Sequence, residues 1–188
     1  MKIINFKKKL NYIIAIKTAF QNKVKLILGD NITFIQRTII TGNGKVSIGK
    51  SCCFGYSLGG FYYNGLCEFQ TRFKKSEIII GNNVRTNNNL FICSAKKISI
   101  GCNTLIGEGV VIIDHDGHGL KPNQRRTSMG NVKQINIGEN VWIGNKVIIL
   151  PGTIIGKNSV IGAGTVLKGV YPENSCIISN KPFILKKI

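Results

Sequence analysis

The chain has 188 residues and a mass of 20.7 kDa, which suits one domain with a core of its own. It carries 26 Lys and Arg residues against 8 Asp and Glu residues, a formal charge of +18, and its hydrophobic share of 43% with 4 Pro excludes a disordered or collagen-like chain. The basic residues are scattered and no DNA- or RNA-reading motif accompanies them, so nucleic acid is not an expected partner. The 6 cysteines form no C-x-x-C pair and have no histidine beside them at zinc-ligand spacing, which predicts reduced thiols and a cytoplasmic location.

Residues 1–28 form a basic segment that contains no acidic residue. Its lysines are Lys2, Lys7, Lys8, Lys9, Lys17, Lys23 and Lys25. Apolar residues near helical spacing predict an amphipathic helix with a lysine-rich face; they are Phe6, Leu10, Ile13, Ile14, Ala15 and Phe20. The longest apolar run is far shorter than the ~20 residues of a membrane-spanning helix. Two interpretations stay open: a solvated basic face packed on its own domain, or a helix at the inner face of a membrane, as an enzyme of lipid-linked sugars would use.

The remaining residues, 29–188, are organised by a repeat of six. Aliphatic residues stand six apart in the series Ile137, Ile143, Ile149, Ile155, Ile161 and Leu167. A small or β-branched residue follows each of the first five by four positions: Val141, Val147, Thr153, Ser159 and Thr165. Asparagine or glycine occupies the third position at Asn140, Gly152, Asn158 and Gly164, where a tight turn needs a left-handed backbone. The same register appears earlier at Ile48, Ile80, Ile100, Ile106 and Ile112.

A period of six fits neither an α-helix nor a long strand, but it fits short strands separated by corners. Three such strands close one triangular coil, and coils stacked about 4.8 Å apart bury the aliphatic columns. The sequence therefore predicts an all-β fold, a parallel β-helix. Residues 54–76 fit the repeat poorly, and Gly59, Gly60 and a run of aromatic residues predict a local loop there.

These repeats resemble those of the hexapeptide-repeat acyltransferases. The closest subgroup acetylates sugars and includes the maltose and galactoside acetyltransferases and the O-acetyltransferases of surface polysaccharides. The resemblance runs from about Ile78 to Lys187, and residues 1–45 lie outside it. It implies a left-handed coil, acetyl-CoA as cosubstrate, and a homotrimer with active sites between neighbouring subunits.

The repeat is interrupted between Ile112 and Ile137, which predicts an extruded loop over about residues 114–134. Both histidines of the chain and two of its three aspartates fall within five residues at the start of this loop: Asp114, His115, Asp116 and His118. Acetyl transfer to a hydroxyl needs a base to take the proton of the alcohol, and a neutral histidine suits that role. The open alternative is that these side chains only satisfy a polar turn.

The D-x-D-x-H pattern of Asp114, Asp116 and His118 resembles the catalytic loop of surface-polysaccharide O-acetyltransferases. His118 precedes Trp142 by 24 residues, the spacing between the catalytic histidine of the family and the tryptophan of its W-I-G motif. The resemblance therefore implies that His118 is the general base and that His115 shapes the loop or contacts the acceptor. No metal is expected, because the related γ-type carbonic anhydrases use three histidines and this chain has two.

The resemblance implies two further sets of site residues. Acceptor contacts fall on Asn88 and Trp142, and cofactor contacts on Trp142, Asn145, Ala163, Gly164, Lys168 and Lys187. Each has a structural alternative: a corner residue, a trimer contact for Trp142, or a solvated lysine.

The predicted function is that of an acetyl-CoA-dependent O-acetyltransferase acting on a sugar hydroxyl of a surface polysaccharide or its precursor. Direct transfer is expected, because no cysteine has an obvious partner base in the sequence. The alternatives are an N-acyltransferase acting on an amino sugar and a non-catalytic trimeric β-helix that binds an anionic surface or partner.

Overall fold

The computed structural model describes the backbone of residues 2–178 and the side chains of residues 6–178, so Lys187 lies outside the described residues. One helix, α1 (Lys2–Gln21), precedes twenty short strands that form the three sides of a prism. Sheet A contains β1 (Lys25–Leu28), β4 (Lys45–Ile48), β7 (Glu77–Ile80), β10 (Lys97–Ile100), β13 (Ile135–Ile137), β16 (Ile154–Ile155) and β19 (Val170–Tyr171). Sheet B contains β2 (Thr33–Phe34), β5 (Cys53–Phe54), β8 (Arg85–Thr86), β11 (Leu105–Ile106), β14 (Trp142–Ile143), β17 (Val160–Ile161) and β20 (Cys176–Ile177). Sheet C contains β3 (Thr38–Gly42), β6 (Cys67–Thr71), β9 (Phe91–Ser94), β12 (Val111–Ile113), β15 (Ile148–Ile149) and β18 (Val166–Leu167).

The chain visits the sheets in the order A, B, C, and each strand pairs in parallel with the strand one coil above and below it. Ile100, for example, aligns with Ile80 on one side and Ile137 on the other. The predicted aliphatic columns point inward, and each of their members is less than 5% exposed. The predicted parallel β-helix is thus confirmed, with one continuous core along the prism axis.

The corner between sheets A and B carries a ladder of asparagines. Asn83, Asn103, Asn140, Asn158 and Asn174 all have φ between 54° and 60°. Their side chains bond from coil to coil, as in the 3.0 Å bond that Asn140 Nδ2 donates to Asn158 Oδ1. Asparagine tolerates the left-handed backbone better than most residues, and here it also satisfies the exposed corner. The predicted role of Asn140 and Asn158 is confirmed.

The N-terminal helix lies across the open end of the first coil. Ala15 and Ala19 are buried against that coil, and Asn11 Nδ2 donates a 2.8 Å hydrogen bond to the carbonyl of Ile35. The predicted helix is confirmed, but its most buried residues are small or polar, and Tyr12 packs beside them against Phe34, with ring centroids 5.9 Å apart. Phe6 and Phe20, expected on an apolar face, are exposed.

Two other predictions change at the N-terminal end of the prism. Residues 25–28, assigned from the sequence to the N-terminal segment, form β1 and pair with β4, so the β-helix begins at Lys25 rather than at residue 29. The irregular stretch 54–76 contains a loop, but Cys67–Thr71 form strand β6, whose residues Cys67, Phe69 and Thr71 are buried. The sequence pattern did not predict this strand, because its inward position holds Phe69 and not an aliphatic residue. Phe69 packs edge-on against Phe54, with ring centroids 5.2 Å apart.

The extruded loop is confirmed at its predicted bounds, because β12 ends at Ile113 and β13 begins at Ile135. No helix in the described part of the chain is long and apolar enough to cross a bilayer.

The inward columns predict a contrast between two neighbouring residues of β16. Ile155 is 2% exposed and Ile154 is 40% exposed. We expect Ile155→Ala to lower the free energy of unfolding by about 2–5 kcal/mol, because it leaves a cavity in the core. Ile154→Ala should cost less than about 1 kcal/mol. Urea unfolding of both variants at one protein concentration measures the difference, and equal losses would contradict an inward column at Ile155.

Candidate active site

The extruded loop leaves the prism at the corner between sheets C and A, which we call the CA edge. Its two arms pair where they leave: Lys133 N donates to the carbonyl of Asp114 at 2.9 Å, and Asp116 N donates to the carbonyl of Asn131 at 3.0 Å. His115 and Val132 form an antiparallel bridge between these bonds. The base of the loop is therefore a short, fixed hairpin.

Asp114 anchors this hairpin to the coil below. Its carboxylate is fully buried and accepts hydrogen bonds from Ser94 Oγ and from the backbone N–H groups of Ala95, Lys96 and Lys97, at 2.6–2.9 Å. Bonds from several donors to one buried carboxylate are strong and fix its position. Asp114 therefore holds the start of the loop in place.

His115 lies against this anchor and is 6% exposed. Its Nδ1 is 3.2 Å from Asp114 Oδ1, and because a carboxylate only accepts, the Nδ1 atom carries a proton. Its Nε2 lies 4.0 Å from Cys93 Sγ. The sequence showed no base beside any cysteine, because Cys93 reaches His115 only through the stacking of β9 under β12.

Cys93 does not have the character of a nucleophile. Burial raises the pKa of its thiol, and Sγ donates to Gln70 Oε1 at 3.1 Å while accepting from Arg72 Nε at 3.3 Å. A buried thiol with a raised pKa is a poor source of thiolate. This arrangement is in keeping with the expectation of direct transfer.

His118 is exposed and differently held. Its Nδ1 is 3.0 Å from the backbone carbonyl of Arg125, so Nδ1 carries the proton and Nε2 presents a lone pair. Gly130 packs against the same turn at φ +77°, and a Cβ there would lie 2.4 Å from the carbonyl oxygen of His118. The backbone around His118 thus depends on a residue without a side chain.

Neither aspartate of the D-x-D-x-H pattern bonds to His118 among the described contacts. Asp116 Oδ2 accepts from the backbone N–H of Asn131 at 2.9 Å and from its Nδ2 at 2.7 Å. The backbone bond from Asn131 holds the pKa of the Asp116 carboxyl below its usual value, and Lys168 adds to this effect. Asp114 therefore supports His115, Asp116 closes the loop, and the carbonyl of Arg125 orients His118.

The two histidines line one cavity at the CA edge. The other lining residues are Ile113, Asp116, Gly119, Leu120, Arg125, Leu150 and Pro151. Lys168 also lies on this edge, between β18 and β19. Within the described residues, no group of three potential ligands could hold a metal ion.

A second group of predicted residues lies on the corner between sheets B and C, the BC edge. Trp142 is 57% exposed and, with Asn145, lines a groove whose other walls include Tyr56, Arg85 and Leu105. Ala163 and Gly164 follow one coil further on and are exposed. Gly164 N donates to the carbonyl of Asn145 at 2.8 Å, and the space where its Cβ would be is open. One chain thus places the loop histidines and the groove on different edges of the prism.

Asn88, expected to contact the acceptor, is fully buried at this edge. Its Nδ2 donates to the carbonyls of Tyr56 and Gly60, both at 2.8 Å, and its Oδ1 accepts from the N–H of Tyr56 at 2.9 Å. The contacts support the structural alternative, in which Asn88 holds the loop after β5 against the coil. This role was not predicted, because no sequence pattern indicates that the loop after β5 folds back on Asn88.

A family model described as bacterial transferase hexapeptide (six repeats) matches residues 135–169. Over 124 residues the chain is 36% identical to the putative lipopolysaccharide biosynthesis O-acetyl transferase WbbJ of Escherichia coli strain K12. The matched region covers 61% of this chain and 63% of that protein. Over 99 residues it is 41% identical to the galactoside O-acetyltransferase of the same strain, covering 53% of this chain and 48% of that protein. The resemblance to the hexapeptide-repeat acyltransferases is confirmed. The matches span less than two thirds of the length of these relatives.

Solved structures of hexapeptide-repeat acyltransferases have the same fold. The N-acyltransferase AntD from Bacillus cereus, in complex with dTDP-4-amino-4,6-dideoxyglucose and coenzyme A, matches with a TM-score of 0.60 at 14% identity and covers 85% of this chain and 80% of its own. The hexapeptide-repeat acetyltransferase VCA0836 from Vibrio cholerae matches with a TM-score of 0.56 at 20% identity and covers 94% and 87%. The fold is a left-handed parallel β-helix, as the resemblance implied.

The hydrogen-bond geometry of the loop predicts the tautomers of both histidines. Each has its Nδ1 atom beside an acceptor, so above the pH at which the rings are charged both should carry the proton on Nδ1. Long-range ¹H–¹⁵N spectra of the imidazole rings distinguish the two nitrogens. The proton on Nε2 of His118 would contradict the contact with Arg125.

Proposed function

We propose that this chain is an acetyl-CoA-dependent O-acetyltransferase that acetylates a sugar hydroxyl of a surface polysaccharide or its precursor. The observation that carries the proposal is His118, an exposed histidine whose Nδ1–H is fixed by a carbonyl and whose Nε2 is free at a cavity. The names of the two Escherichia coli relatives, a lipopolysaccharide biosynthesis O-acetyl transferase and a galactoside O-acetyltransferase, support the same chemistry.

His118 can perform the proton transfer that ester formation needs. Its Nε2 takes the proton of the sugar hydroxyl as the oxygen attacks the acetyl carbonyl, the carbon–sulfur bond breaks, and the proton passes to the departing thiolate. The Arg125 carbonyl stabilises the imidazolium through the Nδ1–H bond in the meantime. His115 lines the same cavity, but it is 6% exposed and held by Asp114, so its role is to position the loop.

The BC edge fits the extended arm of coenzyme A. Trp142 and Asn145 border an open groove, and the small exposed residues Ala163 and Gly164 continue it along the next coil. A ligand can lie close to the backbone where no side chain stands. Bound there, the thioester supplies an activated acetyl group. Lys168 is proposed as a cation for the phosphates of coenzyme A. Because Lys168 lies on the CA edge, it would come from a neighbouring copy of the chain.

The separation of the two edges supports a homotrimer. A loop histidine on the CA edge can meet a groove on the BC edge only if these edges belong to different copies. This contact joins two unlike surfaces, and such contacts close into a ring when the rotation between copies is 120°, as for a three-sided prism. The active site would then form three times, once at each junction.

The acceptor class is tested by product chemistry. Purified chain is incubated with acetyl-CoA and a panel of sugars that includes galactosides and amino sugars, and thiol release is followed. We expect release with hydroxyl acceptors and a product that mild alkali hydrolyses, because esters are labile and amides are not. An alkali-stable product formed only from amino sugars would indicate N-acylation instead. If no sugar in the panel causes thiol release, the non-catalytic binding module is favoured.

The two histidines are distinguished by their variants. We expect His118→Ala to lower kcat by about 10² to 10⁴, because it removes the general base. His115→Ala should cost less and act mainly on the KM of the acceptor, since it loosens the loop without removing the base. The result that would reverse these roles is an inactive His115→Ala beside a His118→Ala with near-normal kcat, measured on one acceptor.

An active site shared between copies predicts complementation. Sedimentation should return about three times 20.7 kDa. We mix two variants and refold them together: His118→Ala, which damages the CA edge, and Gly164→Trp, which blocks the BC groove. About one quarter of the sites should recover, because each site takes its loop from one copy and its groove from another, and each of these is intact in half of the copies. The control mixes His118→Ala with Gly130→Ala, two lesions of the same loop, and should restore nothing. A monomer, or no recovery in the first mixture, would mean that one copy holds the whole site.

A further inference from the structure

Helix α1 attaches to the β-helix through small and polar residues and through Tyr12, whose ring packs against Phe34. Ala15 is fully buried and Ala19 is 2% exposed. Asn11 donates to the carbonyl of Ile35, and the backbone N–H of Ile40 donates to Thr18 Oγ1 at 3.1 Å. These contacts reach β3 and the turn after β2, so the helix lies across the end of the prism and its other side faces away along the prism axis.

That other side carries large apolar residues in the open. The outer stripe consists of Phe6, Leu10, Ile13, Ile16 and Phe20, which are between 41% and 83% exposed. Residues 6, 10, 13 and 20 fall on one side of a helix by their spacing. Beside the stripe, Ile16 and Phe20 open onto a groove lined by Val24, Leu26 and Leu28. Lys17 falls within the stripe by its spacing from Ile13 and Phe20, so the outward face combines exposed apolar side chains with a lysine. Exposed apolar surface bordered by polar residues marks a docking site.

The surroundings of the outer stripe are positively charged. No acidic residue occurs before Asp30, and Lys9 and Lys17 are exposed on the helix itself. Where the helix ends, a pocket is lined by the lysine cluster Lys23, Lys25, Lys45, Lys74 and Lys75. Its one acidic lining residue, Glu77, is 3.5 Å from Lys45 Nζ and neutralises that lysine only. Phe20, near the end of the helix, and Lys23, just beyond it, join the stripe to the cluster across three residues of chain.

These two features select an anionic lipid surface as the occupant. A second copy of this chain is a poor match, because with 26 basic and 8 acidic residues it presents the same sign of charge. A nucleic acid would use the lysines but leave the outer stripe in water. A bilayer accepts both, since apolar side chains enter the boundary between headgroups and acyl chains while lysines reach the phosphates.

We propose that α1 docks the chain on an anionic bilayer, with the outer stripe inserted at the interface and the lysine cluster against lipid phosphates. The prism axis then stands away from the membrane. The extruded loop leaves from β12, three coils above β3, which places it roughly 15 Å beyond the first coil at the usual strand spacing. The proposal goes beyond the acetyl-transfer activity and does not depend on it.

Vesicle flotation of the full chain tests the docking. Vesicles of phosphatidylcholine alone are compared with an equimolar mixture of phosphatidylcholine and phosphatidylglycerol. We expect the chain to float with the mixture only, and high salt to weaken binding. The stripe variant Leu10→Gln/Ile13→Gln/Phe20→Gln and the cluster variant Lys23→Gln/Lys74→Gln/Lys75→Gln should each reduce the bound fraction tenfold or more, since each lysine near the surface contributes about 1 kcal/mol.

Matched controls use exposed residues far from the helix. Val170→Gln removes an apolar side chain that is 72% exposed on β19, and Lys96→Gln/Lys157→Gln removes two exposed lysines. Both should float like the wild type, and circular dichroism should show that every variant is folded. Acetyl transfer to a soluble acceptor should be unchanged in the stripe variant, which separates a failure of docking from a failure of catalysis.

The proposal is overturned if the wild type stays unbound, if it binds phosphatidylcholine vesicles equally well, or if the stripe variant still floats. A wild type that does not bind, together with a stripe variant of lower sedimenting mass, would assign the stripe to a contact between copies of the chain.

Discussion

The structure depends on corners that can be repeated without leaving backbone groups unpaired. Each coil must turn three times within about 18 residues, and every turn must return the next strand into register with the coil below. A left-handed residue at every turn from sheet A to sheet B, and at several of the other turns, makes this possible, and asparagine or glycine adopts that backbone at the lowest cost. Where Lys146 takes the position instead, with φ 57°, its backbone N–H still bonds to the coil below through Glu108. The core follows from these corners, because they fix which residues of every six point inward.

An interruption of such a repeat leaves N–H groups without the coil that would have paired them. Because the chain leaves the stack at the extruded loop, no strand lies above residues 95–97. The buried carboxylate of Asp114 accepts the hydrogen bonds of their backbone N–H groups instead. The same carboxylate holds Nδ1 of His115. The residue that repairs the stack therefore also sets the direction of the loop, and through it the place of His118. One side chain thus both repairs the stack and positions the candidate active-site loop.

The candidate functional surfaces lie on two edges and one end of the prism. The CA edge carries the loop with its histidines, the BC edge carries the groove of Trp142 and Asn145, and the N-terminal end carries the exposed stripe of α1. The residues of these surfaces take no positions from the core, because strand residues alternate between the inside and the outside of a sheet. A three-sided repeat can therefore present a loop with histidines, an open groove and an exposed helix face on separate surfaces of one small domain.

The sequence by itself determined the parallel coils, their inward columns and the bounds of the loop, because a period of six leaves few other ways to bury every sixth residue. It also placed all the loop residues near one another, since Asp114, Asp116 and His118 are close in the chain. It could not determine which aspartate meets which histidine, because that choice depends on contacts across coils: residues 94–97 draw Asp114 inward, and Asn131 captures Asp116. Asn88 and Cys93 acquire their partners in the same way, from loops and strands whose offsets vary from coil to coil. The outward face of α1 was also decided only by the tertiary structure, because the end of the prism packs against Ala15, Ala19 and Tyr12 and leaves apolar residues such as Phe6 and Phe20 exposed.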